Sequence, residues 1–236
     1  MLRSFLLSIA GGVASLAGLA AVPASAVACA GPQVVLDATT ATIQAFVRAK
    51  GMEVLTFVGY SGAGYESPVE LASQAASILD GKDPSRTLIN SGATAEGIGA
   101  VYGLAKRKGF TTIGIVSSQA RAQRVAFSPC ADHVFVVNDA TWGGRLPGQR
   151  ELSPTSAAIV ENSTAVVAIG GGEVARDEVL AAQQAGKLVV FIPADMNHAK
   201  AQRNARQAGK PAPRDFRGAV HQALMPADPP TPATAP

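Results

Sequence analysis

Three consecutive glycines, Gly170, Gly171 and Gly172, stand between the apolar, β-branched run Ala165–Ile169 and a helical pattern from Glu173 through Ala182. A strand that stops on glycines and turns into a helix exposes backbone N–H groups at the positive end of the helix dipole, so an anion such as phosphate is its natural guest. Glu178 lies about a turn and a half into that helix, on the side that looks back over the glycines. A carboxylate beside a phosphate seat is electrostatically unfavourable, which points Glu178 at a sugar or a base. The same residues also read as a tight strand–helix connection with a solvated acidic first turn. Two further glycine-bearing turns carry hydroxyls: Gly59 to Gly64 holds Ser61 and Gly62, and Ser91 to Gly99 holds Gly92 and Thr94. If the three turns share one rim, Ser61, Ser91 and Thr94 serve as hydroxyl donors to a nucleoside monophosphate or a similar sugar phosphate.

Other chemistries fit less well. Gly59-x-x-Gly62-x-Gly64 departs from the dinucleotide fingerprint, and no acidic residue ends the next strand to hold a ribose, which argues against a dehydrogenase. Gly59-Tyr60-Ser61-Gly62-Ala63 lacks the second glycine position of a nucleophile elbow. His133 and His198 form no ligand cluster with carboxylates, so neither a metal nor a cofactor is expected. Trp142, the single tryptophan of the chain, falls in a glycine-rich loop. It suits stacking on a base and equally suits capping the edge of a core.

The elements that must position these residues alternate. The patterns predict helices over Ala38–Lys50, Pro68–Leu79, Ala95–Lys108 and Pro154–Asn162, besides the one that begins at Glu173. They predict strands over Met52–Val58, Thr87–Asn90, Thr112–Val116, His133–Val137, Ala165–Ile169 and Leu188–Ile192. Short apolar strands separated by helices specify an α/β fold, a Rossmann-like doubly wound parallel sheet with helices on both faces, which binds ligands outside the carboxyl ends of its strands.

The 236 residues carry a formal net charge of +3, and both ends stand apart in composition. Arg3, the small apolar run that follows it and Pro23-Ala24-Ser25-Ala26 read as a signal peptide over 1–26, which implies a periplasmic or secreted protein with no stable membrane span once the leader is removed. A lipoprotein anchored through Cys29, or a cytoplasmic protein with a mis-assigned start, are the alternatives. Residues 34–224 make the domain, and the Pro-rich string over 225–236 reads as a disordered tail. Cys29 and Cys130 would pair in an oxidising compartment, or are two unrelated thiols. The basic cluster Lys200, Arg203, Arg206, Lys210, Arg214 and Arg217 reads as a solvated helix face rather than a nucleic-acid site, because no aromatic residues interleave with it. The expected partner is a small-molecule nucleotide or sugar phosphate, with a homodimer among the assemblies open to the chain.

Val58-Gly59-Tyr60-Ser61-Gly62, the turn Ser91-Gly92-Ala93-Thr94-Ala95-Glu96-Gly97-Ile98-Gly99, and Gly170-Gly171-Gly172-Glu173-Val174-Ala175-Arg176-Asp177-Glu178 follow one another in an order and spacing that resemble a known family. This is the Lonely Guy (LOG) family of nucleotide phosphoribohydrolases, often mislabelled lysine decarboxylases, within the wider SLOG nucleotide-binding superfamily. The resemblance spans roughly Val54 to Pro193, and it is that of a divergent member. Where the family has Gly-Thr in its last motif this chain has Val174-Ala175, and where the family has an Arg-Lys pair this chain has Pro154-Thr155. The resemblance implies cleavage of the N-glycosidic bond of a nucleoside 5'-monophosphate, with Glu178 acting on the ribose. Glu178, Asp177 and Arg150 form the implied catalytic set, and Arg145 offers a second substitute for the missing arginine. The competing expectation is an exported nucleotide or nucleotide-sugar binding protein that has kept the pocket without the chemistry.

Overall fold

The computed structural model describes residues 29–225, so the expected leader over 1–26 and the tail beyond Met225 lie outside the described residues. Seven strands form one sheet in the order β1-β5-β4-β3-β2-β6-β7, and every pairing is parallel. They are β1 Gln33–Ala38, β2 Glu53–Gly59, β3 Thr87–Ser91, β4 Thr111–Ser117, β5 His133–Val137, β6 Ala165–Ile169 and β7 Leu188–Ile192. The helices are α1 Thr40–Lys50, α2 Pro68–Asp80, α3 Ala100–Arg107, α4 Gln119–Ala122, α5 Pro154–Asn162, α6 Glu173–Gln184, α7 His198–Gln207 and α8 Gly218–Leu224. This is the α/β Rossmann-like doubly wound arrangement expected from the sequence.

Alternating residues of the central strands feed opposite faces of the sheet. Leu55, Phe57 and Ile89 pack with Leu71 and Leu79 of α2 and Val101 of α3. Their neighbours Val54 and Leu88 pack on the other face with Ile43 of α1 and Ile159 of α5. Val58, Val166 and Ala168 continue that second face under Val179 of α6 and Val220 of α8. Helix starts follow the expected capping chemistry: Ser67 precedes Pro68 and accepts from the Glu70 N–H, and Thr39 accepts from the Thr42 N–H.

β1 has no counterpart among the strands read from the sequence. It is an edge strand with one partner, its pattern is mostly exposed, and a register shift interrupts its pairing between Val35 and Ala38, where Asp37 has φ 51°. The helix expected from Ala38 begins at Thr40 because Ala38 still belongs to that strand. The helix expected over Ala95–Lys108 opens instead as a single 3₁₀ turn at Gly97–Gly99, where the Ile98 N–H donates to the Tyr60 carbonyl at 2.7 Å. Cys29 and Cys130 form a disulfide that ties the start of the described chain to the loop before β5. Among the described residues, no helix is long and apolar enough to cross a membrane.

From β2 the chain moves outward through β3, β4 and β5, and then returns to place β6 on the opposite side of β2. The strand order therefore reverses between β2 and β6. Their carboxyl ends carry the Gly59 and Gly170 turns, at the position where doubly wound sheets open a crevice.

Candidate functional site

That crevice is filled by the protein itself. The Tyr65 hydroxyl accepts from the Tyr60 N–H at 3.1 Å and donates to the Ile169 carbonyl at 2.7 Å, bridging the ends of β2 and β6. The Tyr60 hydroxyl donates to the Ala194 and Phe216 carbonyls at 3.2 and 3.3 Å. Glycines here serve close packing. A Cβ on Gly59 would collide with the Tyr65 hydroxyl, and one on Gly170 would lie 2.5 Å from the Tyr60 ring. Gly171, at φ 131°, would bring a Cβ to 2.7 Å from Val220 and 2.8 Å from Ala175.

The open space lies beside this plug, over β2, β3 and β4 and against α5 and α6. It is a cavity of about 540 Å³ lined by Gly59, Ser61, Gly62, Ser91, Gly92 and Thr94 of the first two predicted turns, and by Val174, Ala175 and Glu178 of α6. Two predicted turns thus converge with Glu178. The three glycines of the third turn do not line the cavity, and two of them are explained by packing. Packing therefore accounts for the missing side chains at Gly170 and Gly171. Gly172 differs: no atom lies within 4 Å of where its Cβ would be, and it caps α6 without a side-chain hydrogen bond. The first-turn N–H groups of α6 keep their donor capacity, and Val174 and Ala175 carry two of them at the cavity wall. Gly62 and Gly92 also have nothing within 4 Å of a built Cβ, so side chains are absent where the wall is open.

Glu178 is buried, with a relative exposure of 4%. Its Oε1 accepts from the Ser156 hydroxyl at 2.7 Å, and Ser156 Oγ in turn accepts from the Gly144 N–H at 2.7 Å. Burial raises the Glu178 carboxyl from the usual carboxylate range to about 7; the Ser156 hydrogen bond opposes the shift and the charge of Asp177 adds to it. The group therefore sits near its midpoint at neutral pH. Ser91, also on the wall, has a buried hydroxyl with no hydrogen-bond partner among the described residues. The Thr94 hydroxyl is engaged locally, accepting from the Glu96 N–H at 3.1 Å.

The remaining members of the expected catalytic set lie elsewhere. Asp177 turns away from the cavity lining: its Oδ2 accepts from the Arg145 N–H at 3.0 Å, and its Oδ1 pairs with the Arg176 guanidinium at 2.9 Å and with Arg145 Nε at 3.7 Å. It fixes the loop between β5 and α5. Arg150 is exposed, offers its carbonyl to the Arg145 guanidinium and does not line the cavity. Neither Arg145 nor Arg150 lines the cavity. Two hydroxyl-bearing residues at the start of α5 stand here instead: Thr155 lines the cavity and Ser156 bonds Glu178.

The charged residues of the lining are Glu178 and Glu96, and Glu96 is paired with Lys200 of α7 at 3.1 Å. Among the described residues, no group of three His, Cys, Asp or Glu is placed to hold a metal ion. Sequence reasoning passed over Ser156, which lies in the first turn of α5 and carries no motif signal, and Glu96, which lies within a turn read for its hydroxyls.

No protein-family profile and no curated protein matches the chain. Among solved structures it is similar to the Moco carrier protein from Chlamydomonas reinhardtii, at 19% identity and TM-score 0.44 over 60% of this chain and 76% of that one. It is also similar to the molybdenum cofactor binding protein from Rippkaea orientalis, at 18% identity and TM-score 0.43 over 67% of this chain and 85% of that one. DNA processing protein A from Streptococcus pneumoniae aligns at 17% identity and TM-score 0.43 over 68% of this chain and 58% of its own. Likenesses of this size assign neither a ligand nor a residue's role.

Proposed function

We propose that this protein binds a nucleotide or closely related sugar phosphate in the cavity beside Glu178, and that it acts as an exported binding protein rather than as a hydrolase. The observation that carries the reading is the composition of the cavity wall. Free N–H groups of the first turn of α6, the unpartnered Ser91 hydroxyl and the open glycines Gly62 and Gly92 provide neutral donors and room, while among the described residues no arginine or lysine lines the wall to hold a phosphate through bond cleavage. The leader over 1–26 motivates export, and the Cys29–Cys130 disulfide supports an oxidising compartment.

One observation favours the second reading, an N-glycosidase of the Lonely Guy type. A buried carboxyl raised to about 7 beside a ligand cavity is a common property of catalytic acids and bases. In such an enzyme Glu178 would stabilise the positive charge that grows on the ribose as the glycosidic bond breaks. The two readings separate when the mature protein is incubated with a panel of nucleoside monophosphates, with bound ligand measured by calorimetry and released base by chromatography. Binding without released base is the expected result. Base release that Glu178→Gln abolishes would establish the enzyme, and failure of every nucleotide to bind would overturn both readings.

A further inference from the structure

Trp142 is the one tryptophan of the chain, it is 48% exposed, and it lines the cavity. A tryptophan that caps a core is buried with its N–H partnered. Here, among the described residues, the indole makes no hydrogen bond and no ring contact. Two other large apolar side chains left exposed, Val125 and Val174, line the same cavity. The ring therefore stands at an apolar mouth with a face available to a guest.

The backbone that carries it is held on both sides. Asp139 Oδ1 accepts from the N–H and the hydroxyl of Thr141, both at 2.8 Å, and its Oδ2 accepts from the Thr155 N–H at 3.0 Å. Burial works against the charged form of Asp139, but these hydrogen bonds keep its carboxyl below the usual range, so the anchor is an anion. Beyond the tryptophan, the Gly143 N–H donates to the Thr141 hydroxyl at 3.2 Å, Gly144 donates to Ser156 and Arg145 donates to Asp177. Gly143 and Gly144, at φ 115° and 80°, let this strap pass close over α6: a Cβ on Gly143 would meet Val174 at 3.0 Å and Glu178 Oε1 at 3.9 Å. Trp142 thus stands one residue from a position in van der Waals range of the Glu178 carboxyl, and Ser156 bonds both the strap and that carboxyl.

We propose that Trp142 is a preorganised stacking platform that makes the cavity selective for ligands bearing a planar aromatic heterocycle, which it holds at the mouth while the adjoining sugar lies toward Glu178. The inference rests on the nucleotide-binding reading and adds the residue that selects the base. A ring with two rotatable bonds on a backbone held at both sides costs little entropy to order, and stacking on an aromatic side chain tolerates several bases because each has a π-face.

The test uses the fluorescence of this single tryptophan. The protein is titrated with adenosine, guanosine, cytidine and uridine 5'-monophosphates and with ribose 5-phosphate, with calorimetry in parallel. At least one nucleotide is expected to bind and to quench the indole, whereas ribose 5-phosphate binds more weakly and leaves the emission unchanged. Trp142→Ala should weaken that nucleotide roughly tenfold or more without changing the affinity for ribose 5-phosphate, and Trp142→Phe should recover most of the loss. Nucleotide binding that neither quenches the indole nor responds to Trp142→Ala would overturn the inference and leave nucleotide binding standing. Ribose 5-phosphate matching the nucleotides in affinity would do the same. Failure of every nucleotide to bind the wild-type protein would overturn the function proposal and this inference together.

Discussion

Glu178 decides most of what the cavity can do, because its charge changes near neutral pH. Burial is the main cause of its raised pKa, so the neutral form prevails below about 7 and the anion above it. An anionic ligand meets less repulsion from the neutral form. Affinity for a nucleoside monophosphate should therefore fall by about tenfold between pH 6 and pH 8, and Glu178→Gln should flatten the dependence. A wild-type affinity that rises over that range would sink the assignment of the titrating group. The same shift makes a stability statement. The folded protein holds a proton on Glu178 at pH values where the unfolded chain has released it, so this contribution is present below the ordinary carboxylate pKa and is lost as pH rises through about 7. Thermal unfolding at pH 5.5 and pH 8 should show the glutamine variant losing less stability than wild type over that interval, by an amount on the order of 2 kcal/mol at most.

At the scale of elements, much of the architecture is legible in the sequence because the central strands are short, apolar and bounded by turn residues. β5, β6, β7 and α5 occupy the ranges that the pattern predicts. β1 was hidden for a physical reason: as an edge strand with Val34 and Leu36 exposed, it needs no buried run to announce it. The site was legible in part. Glycine runs marked the correct ends of the strands, but a sequence does not distinguish a glycine that admits a ligand from one that admits a neighbouring side chain. Gly170 and Gly171 belong to the second kind, whereas Gly62 and Gly92 border open space. Gly171→Val should accordingly destabilise the fold by about 3 kcal/mol, lowering the melting temperature by roughly 6–12 °C, since it combines a strained φ with two collisions. Gly92→Val should leave melting nearly unchanged and weaken nucleotide binding. Calorimetric melts of both variants, followed by ligand titration of the Gly92 variant, check the pair; equal destabilisation would refute the division.

At the scale of the molecule, the sheet reverses at β2 and β6, yet the crevice so formed is closed by Tyr60 and Tyr65, and the open cavity is displaced toward β3, β4 and the strap that carries Trp142. That strap follows β5, whose preceding loop is tied by Cys130 to Cys29 at a sequence separation of 101 residues. Closing so long a loop removes much freedom from the unfolded chain, so the disulfide is expected to contribute about 2–4 kcal/mol. A reductant should therefore lower the melting temperature of the mature protein by several degrees while leaving its nucleotide affinity almost unchanged, because neither cysteine lines the cavity. The same bond links stability to compartment. Exported protein, oxidised and cleaved near Val27, would keep that contribution, whereas a cytoplasmic form would lose it to the reducing pool. Intact mass of the protein from its native host, with and without reduction, reads both facts at once. A chain that begins close to Val27 and gains two hydrogens on reduction is the expected result. A chain that retains Met1 and carries two free thiols would overturn the export proposal and remove the disulfide from the account of stability.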